Sequence, residues 1–262
     1  MKLIIINIIL IFFITTDIQA TKNHGNVELL IPESKKPEGL WGKEAGEFDA
    51  FKDIKVLEEL SEESSQLKLE EARKFFNQSV SGFKLTEALI SRKKKVFETE
   101  VNLEDRYKWQ KKAREANREK ELQKITIDGR QDAIVFLIRA MSYVDKIENP
   151  VLKESDIYLD LKSSIYREYI KHQFAMKNFS LSIDMLERYL ALGKKFESES
   201  EPHKLLAVCL EKQEVQAARY KKDSLVYAIR SKKNEHLLRY AELVYGKESK
   251  QFEKVSEKIA RD

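Results

Sequence analysis

One cysteine, four prolines and eight glycines are all that punctuate a chain of 262 residues. A lone cysteine closes no internal disulfide, so the fold must be held by packing. Cys209 sits in the run Leu205-Leu206-Ala207-Val208-Cys209-Leu210 and reads as a buried, unreactive thiol, with an intermolecular disulfide as the alternative. No proline lies between Pro37 and Pro150, and after Gly46 only Gly82 and Gly129 interrupt that span. Histidine is scarce too. His24, His172, His203 and His236 are scattered without metal-ligand spacing. A Gly-rich phosphate loop and a Gly-x-Ser-x-Gly elbow are both missing. Glu-x-x-Glu spacings abound, but a chain this rich in Glu makes them by chance. A carboxylate pair on an exposed helix also lacks the desolvation that shifts a pKa. These absences nominate no catalytic, cofactor or metal residue, and the chain reads as non-enzymatic. An enzyme with a helical toroid or lytic fold would need a buried carboxylate in a cleft.

Charge of one sign is lacking as well: 48 basic residues face 44 acidic ones, for a net +4. That excess does not argue for nucleic acid as a partner.

What is present starts at the N-terminus. Lys2 gives a positive start, and Leu3 to Phe13 is an apolar core broken only by Asn7. Ile18-Gln19-Ala20 places a small residue before a cut between Ala20 and Thr21. The core is eleven residues long, whereas a membrane-spanning helix needs about 20. Residues 1–20 therefore read as a cleaved export signal, with no stable membrane insertion afterwards; an uncleaved anchor is the alternative. The function is then expected outside the cytoplasm.

Lys, Glu, Leu, Ala and Ser dominate the rest, so the expected fold class is all-α. Residues 21–46 are irregular, with Leu29-Leu30-Ile31 and Leu40-Trp41 embedded. Residues 47–127 read as a helical stalk that begins with a short helix, Glu47 to Leu60. Leu69, Phe76, Phe83, Ile90 and Phe97 recur every seven residues. Phe75, Leu89, Val96 and Leu103 follow the same period, with Gly82 in the empty slot. Two adjacent apolar positions per heptad make one stripe, which must meet another helix. Asn102 to Ile125 is helical by composition but thinly apolar. The pattern leaves open whether it continues the preceding helix or folds back on it.

Asp128-Gly129 is the expected internal boundary, and residues 128–262 the expected antiparallel helical bundle. Its helices are predicted over Gln131 to Ile147, Asp156 to Met176, Phe179 to Leu192, His203 to about Ser231, Asn234 to Tyr245 and Lys250 to Ala260. This half resembles tetratricopeptide helix pairs. Ala133, Leu137 and Ala140 echo a second helix, and Tyr166 to Leu192 echoes a whole unit. Tyr189 and Ile170 depart from it, standing where small residues are usual. On that mapping Arg167, Lys171 and Phe174 line a concave face suited to an acidic peptide; a solvated face is the bland alternative. The basic runs Arg92 to Lys95 and Lys111 to Lys120 read as solvated helix faces. Trp41, Tyr107 and Trp109 are natural anchors for a partner if exposed, and packing residues otherwise.

Signal, size, heptad stalk and helix pairs together resemble the periplasmic flagellar coiling proteins of spirochaetes, of the kind found in Leptospira. The resemblance covers most of the mature chain, rests on no short motif, and does not separate the A from the B type. It implies a structural sheath protein of the periplasmic flagellar filament that helps impose the coil needed for motility. Its partners would be other filament or sheath proteins and further copies of itself. The family has no catalytic residue to carry over. The competing expectation is a periplasmic tetratricopeptide-like adaptor in envelope assembly.

Overall fold

The computed structural model describes residues 63–99 and 108–261. Their secondary structure is entirely helical: α1 (Glu63–Thr99), α2 (Lys108–Asp145), α3 (Pro150–Glu154), α4 (Asp156–Ala175), α5 (Phe179–Leu190), α6 (Lys194–Glu197), α7 (Ser200–Arg219), α8 (Asp223–Tyr245) and α9 (Lys250–Arg261). No helix among the described residues is long and apolar enough to cross a membrane. The short helix expected over Glu47 to Leu60 lies outside the described residues, as do the export signal and residues 21–46.

α1 and α2 form an antiparallel hairpin. Lys68 reaches the Lys146 carbonyl, Ser79 the Ala133 carbonyl, and Arg118 the Phe97 carbonyl. Each step up α1 is thus a step down α2. The segment after Leu103, whose course the sequence leaves open, folds back. At 1.5 Å per residue, each arm is about 55 Å long.

The expected boundary at Asp128-Gly129 falls inside α2, which runs unbroken from Lys108 to Asp145. Gly129 has a different job there. A Cβ on it would sit 2.4 to 2.9 Å from the Thr86 side chain of α1. The glycine is a point of close helix approach, and flanking helix formers carry α2 through it. Gly82 has nothing within 4 Å of its Cβ position and opens onto solvent.

The base of the hairpin joins one core. Leu69 and Phe76 from α1 meet Leu137, Ala140 and Val144 from α2, Leu161 and Ile165 from α4, Leu186 from α5 and Leu206 from α7. Cys209 is fully buried in it, and burial pushes its thiol up to about 12, so it stays protonated. α3 starts on Pro150 behind Asn149, whose side chain accepts from the Leu152 N–H at 3.1 Å. α4 starts behind Ser155, which accepts from the Tyr158 N–H.

The helix expected from His203 to about Ser231 is instead two. α7 stops at Arg219, and α8 runs from Asp223 past the expected restart at Asn234. The stop is a Schellman cap: Lys222 N–H bonds the Ala217 carbonyl and Lys221 N–H bonds that of Ala218, with Lys221 at φ 53°. α4 ends the same way, with Lys177 at φ 63° and Asn178 N–H reaching back to the Gln173 carbonyl. Lysine fills a position that usually carries glycine, so the break at residue 221 leaves little mark in the sequence.

Candidate functional site

Arg167, Lys171 and Phe174 are spaced by four and three residues, so they share one face of α4. Each is engaged within the chain. The Arg167 Nε donates to the Tyr189 hydroxyl at 2.8 Å, and its Nη2 donates to Glu199 at 2.8 Å. Tyr189 is fully buried, and burial raises its phenol pKa, so the hydroxyl stays protonated. It donates to the Glu199 carboxylate, whose oxygens lie at 2.8 and 2.9 Å. Tyr189 stands where the repeat pattern wants a small residue; here its hydroxyl ties α4 to the segment between α6 and α7. Lys171 lies 3.5 Å from Glu168. Phe174 meets Phe179 edge to face, centroids 5.8 Å apart, across the α4–α5 turn. Trp109 lies in α2 near the hairpin tip. Its side chain, and Trp41, Tyr107, Ala20 and Thr21, are outside the described residues.

A second polar cluster joins the hairpin to the bundle. Arg130 of α2 lies over the Phe83 ring of α1 at 4.8 Å and donates to the His172 Nδ1 of α4 at 3.1 Å. His172 packs its edge on the same ring at 4.7 Å. A guanidinium only donates, so Nδ1 accepts and the imidazole proton sits on Nε2. Burial first, then Arg130 and Lys171, hold His172 down at about 3, so it is neutral. Glu168 is held in the same joint, its carboxyl raised by burial against the pull of Lys171. The guanidinium–imidazole bond, packed on one aromatic ring, fixes the register of three helices.

The histidines, scattered in sequence, include one close pair. His203 of α7 and His236 of α8 face each other with Nδ1 atoms 3.1 Å apart, and His203 Nε2 donates to the Glu197 carbonyl at 3.0 Å. His203 Nδ1 is therefore the bare acceptor, and His236 Nδ1–H the donor. Among the described residues no group of three or more His, Cys, Asp or Glu could hold a metal ion. Thirty-three residues separate the pair, and no local pattern announces it.

The surface feature that stands out lies on the hairpin. Leu85 is 73% exposed, and Leu89 and Val96 are 46% exposed each. At 100° per residue these three fall on one side of α1, together with Gly82 and Arg92. Gly82, Leu89 and Val96 belong to the second heptad set, whose Phe75 stacks on Phe136 and Tyr143 of α2 nearer the base, while Leu89 and Val96 are left exposed. Beside them an open groove of about 360 Å³ is floored by Ser79, Gly82, Gly129 and Ala133 and walled by Phe136 and Val135. The α2 side that faces α1 is polar here. Arg118 covers the Phe97 ring at 5.1 Å, and Lys93 pairs with Glu121. Elsewhere, Tyr220 and Leu225 border a second groove of about 390 Å³ between the starts of α5 and α8 and the end of α7.

A comparison with curated proteins finds no match. One family model, FcpA, matches residues 19–262. The match takes in every described helix, hairpin and bundle alike, and the chain belongs to the FcpA family, the flagellar coiling proteins of spirochaetes.

Proposed function

We propose that the protein is a structural subunit of the sheath around the periplasmic flagellar filament and helps impose the filament's coil. The observation that carries this reading is the FcpA match over residues 19–262. The apolar segment read as an export signal lies almost wholly ahead of that match, in keeping with a subunit delivered to the periplasm and then freed. A sheath subunit needs repeated lateral contacts, and long paired helices present much surface for few residues. Unlike surfaces joined head to tail propagate along a filament without closing. Placed on one side of the filament, such an array biases its curvature. In this reading the subunit works without catalysis, and its partners are filament and sheath proteins. The tetratricopeptide-like succession of α4, α5 and α7 serves as the scaffold. The adaptor reading needs an acidic peptide at Arg167 and Lys171, but both cations already face carboxylates of the chain itself.

The test is mass spectrometry on flagella purified from the native organism, with a filament-deficient strain as control. Stoichiometric presence that depends on the filament is the expected result. A protein left free in the periplasm in both strains would overturn the sheath reading.

A further inference from the structure

The exposed stripe on α1 is flanked by charge of one sign. From Lys84 to Thr99 the helix carries five basic and two acidic residues. Arg92 lies within the stripe and Lys95 beside it, both exposed, while Lys93 on the other flank turns to Glu121 and Lys94 falls on the opposite side of the helix. A partner for this face needs apolar side chains with carboxylates beside them.

The chain carries such a segment just ahead of α1. Residues 44–62 hold seven acidic and two basic residues together with Phe48, Phe51, Ile54, Val56, Leu57 and Leu60. Reach decides which copy supplies it. As the helix that its sequence predicts, Glu47 to Leu60 is about 21 Å long at 1.5 Å per residue. Leu85 and Val96 lie about 33 and 50 Å along α1 from its first residue. A segment folding back from Glu63 would stop short of the stripe. The same segment from a neighbouring copy meets no such limit.

We infer that the distal face of α1, around Leu85, Leu89 and Val96, docks the acidic segment 44–62 of a second copy of this chain. The groove floored by Gly82 and Gly129 lies alongside and lets a helix approach the hairpin closely. The two surfaces are unlike, so the contact is heterologous, and each copy has one of each to offer. Chains form rather than closed dimers. The contact combines apolar burial with charge attraction, so salt weakens it without abolishing it. The inference concerns the protein alone and stands or falls separately from its place on a flagellum.

The experiment is sedimentation velocity on the purified full-length exported chain over a range of concentrations. Wild type is expected to form open-ended oligomers, with association loosened several-fold near 1 M salt, where the screening length is about 3 Å. Two variants are compared: Leu85→Ser/Leu89→Ser on the stripe and Glu58→Lys/Glu59→Lys on the segment. The stripe positions are exposed, so circular dichroism should show an unchanged fold. Each variant alone is expected to lose association at least about tenfold. Mixed together they should form a one-to-one heterodimer, because each keeps the half the other lacks. A wild type that stays monomeric overturns the proposal. So does a stripe variant that assembles normally, or a mixture that remains monomeric. Loss in the stripe variant with normal assembly in the segment variant also overturns it, pointing to a hairpin-on-hairpin contact instead.

Discussion

At the base of the α1–α2 hairpin, Leu69 and Phe76 are fully buried; one and two heptads beyond Phe83, Ile90 and Phe97 are only half-buried. The periodicity is the same along the whole arm. The difference lies in what faces it. At the base α2 offers Leu137, Ala140 and Val144, and α4 and α7 close the core behind them. Toward the tip α2 offers Arg118 and Glu121, and no third helix among the described residues covers Leu89 or Val96. A heptad repeat thus establishes that a face is apolar. Whether that face is spent on the fold or kept for another chain depends on the partner helix.

The comparison is broken most severely by truncation at the two levels. Phe76→Ala at the base is expected to cost about 3–5 kcal/mol, the usual range for a buried aromatic. Leu89→Ala near the tip is expected within about 0.5 kcal/mol of wild type. Urea denaturation followed by circular dichroism measures both. Equal losses would mean that the distal face is part of the core.

Acidification comes next, because its targets lie at the base and in the bundle. Burial lowers the pKa of His172, His203 and His236 below the ordinary 6.5, in His172 to about 3. Below 6.5 the unfolded chain binds these protons and the folded chain does not. Their stability is therefore full above pH 6.5 and is lost as pH falls from there toward 3. Glu168 and Glu201, raised by burial, act in the opposite sense above 4.5 and soften the loss. His172→Gln keeps an acceptor for Arg130 and should flatten the slope of stability against pH by up to one proton. An unchanged slope would place the titration elsewhere.

Two glycines sharpen the contrast further. Gly129→Leu drives a side chain into Thr86 and should cost about 1–3 kcal/mol by overpacking. Gly82→Ala meets open space and should stabilise by up to about 1 kcal/mol through helix propensity. Thermal unfolding of the pair reads the two signs. In the bundle, Tyr189→Phe strips a hydroxyl from between Arg167 and Glu199 and should cost about 1–2 kcal/mol. The tip again responds weakly. Lys93→Met removes an ion pair with Glu121 that is open to solvent, and should change stability by less than about 1 kcal/mol. Denaturation at low and high salt checks both.

The helical class, the heptad face from Leu69 to Phe97, and the helices beginning at Asp156, Phe179 and Lys250 are legible in the sequence, because apolar spacing and cap residues are local signals. Gly129 reads as a boundary for the same reason: glycine usually marks one. Only the position of Thr86, 43 residues earlier, turns it into a packing contact. The break at Lys221 is hidden because a lysine takes the left-handed position without a glycine. Of the face expected from Arg167, Lys171 and Phe174, the helical spacing is legible. Glu199 and Tyr189, which engage Arg167, come from elements that only the tertiary fold brings near. The exposure of Leu85, Leu89 and Val96 was equally out of reach, since it depends on where α2 folds back.

The most direct test of the account quantifies this protein by mass spectrometry in flagella from strains carrying either the wild-type chain or Leu85→Ser/Leu89→Ser, with total periplasmic protein measured alongside. The account predicts wild type in stoichiometric amount on the filament, and the variant present in the periplasm at wild-type level but lost from flagella. A wild-type protein absent from flagella contradicts the sheath reading, and a variant that decorates them normally contradicts the assignment of the distal hairpin face.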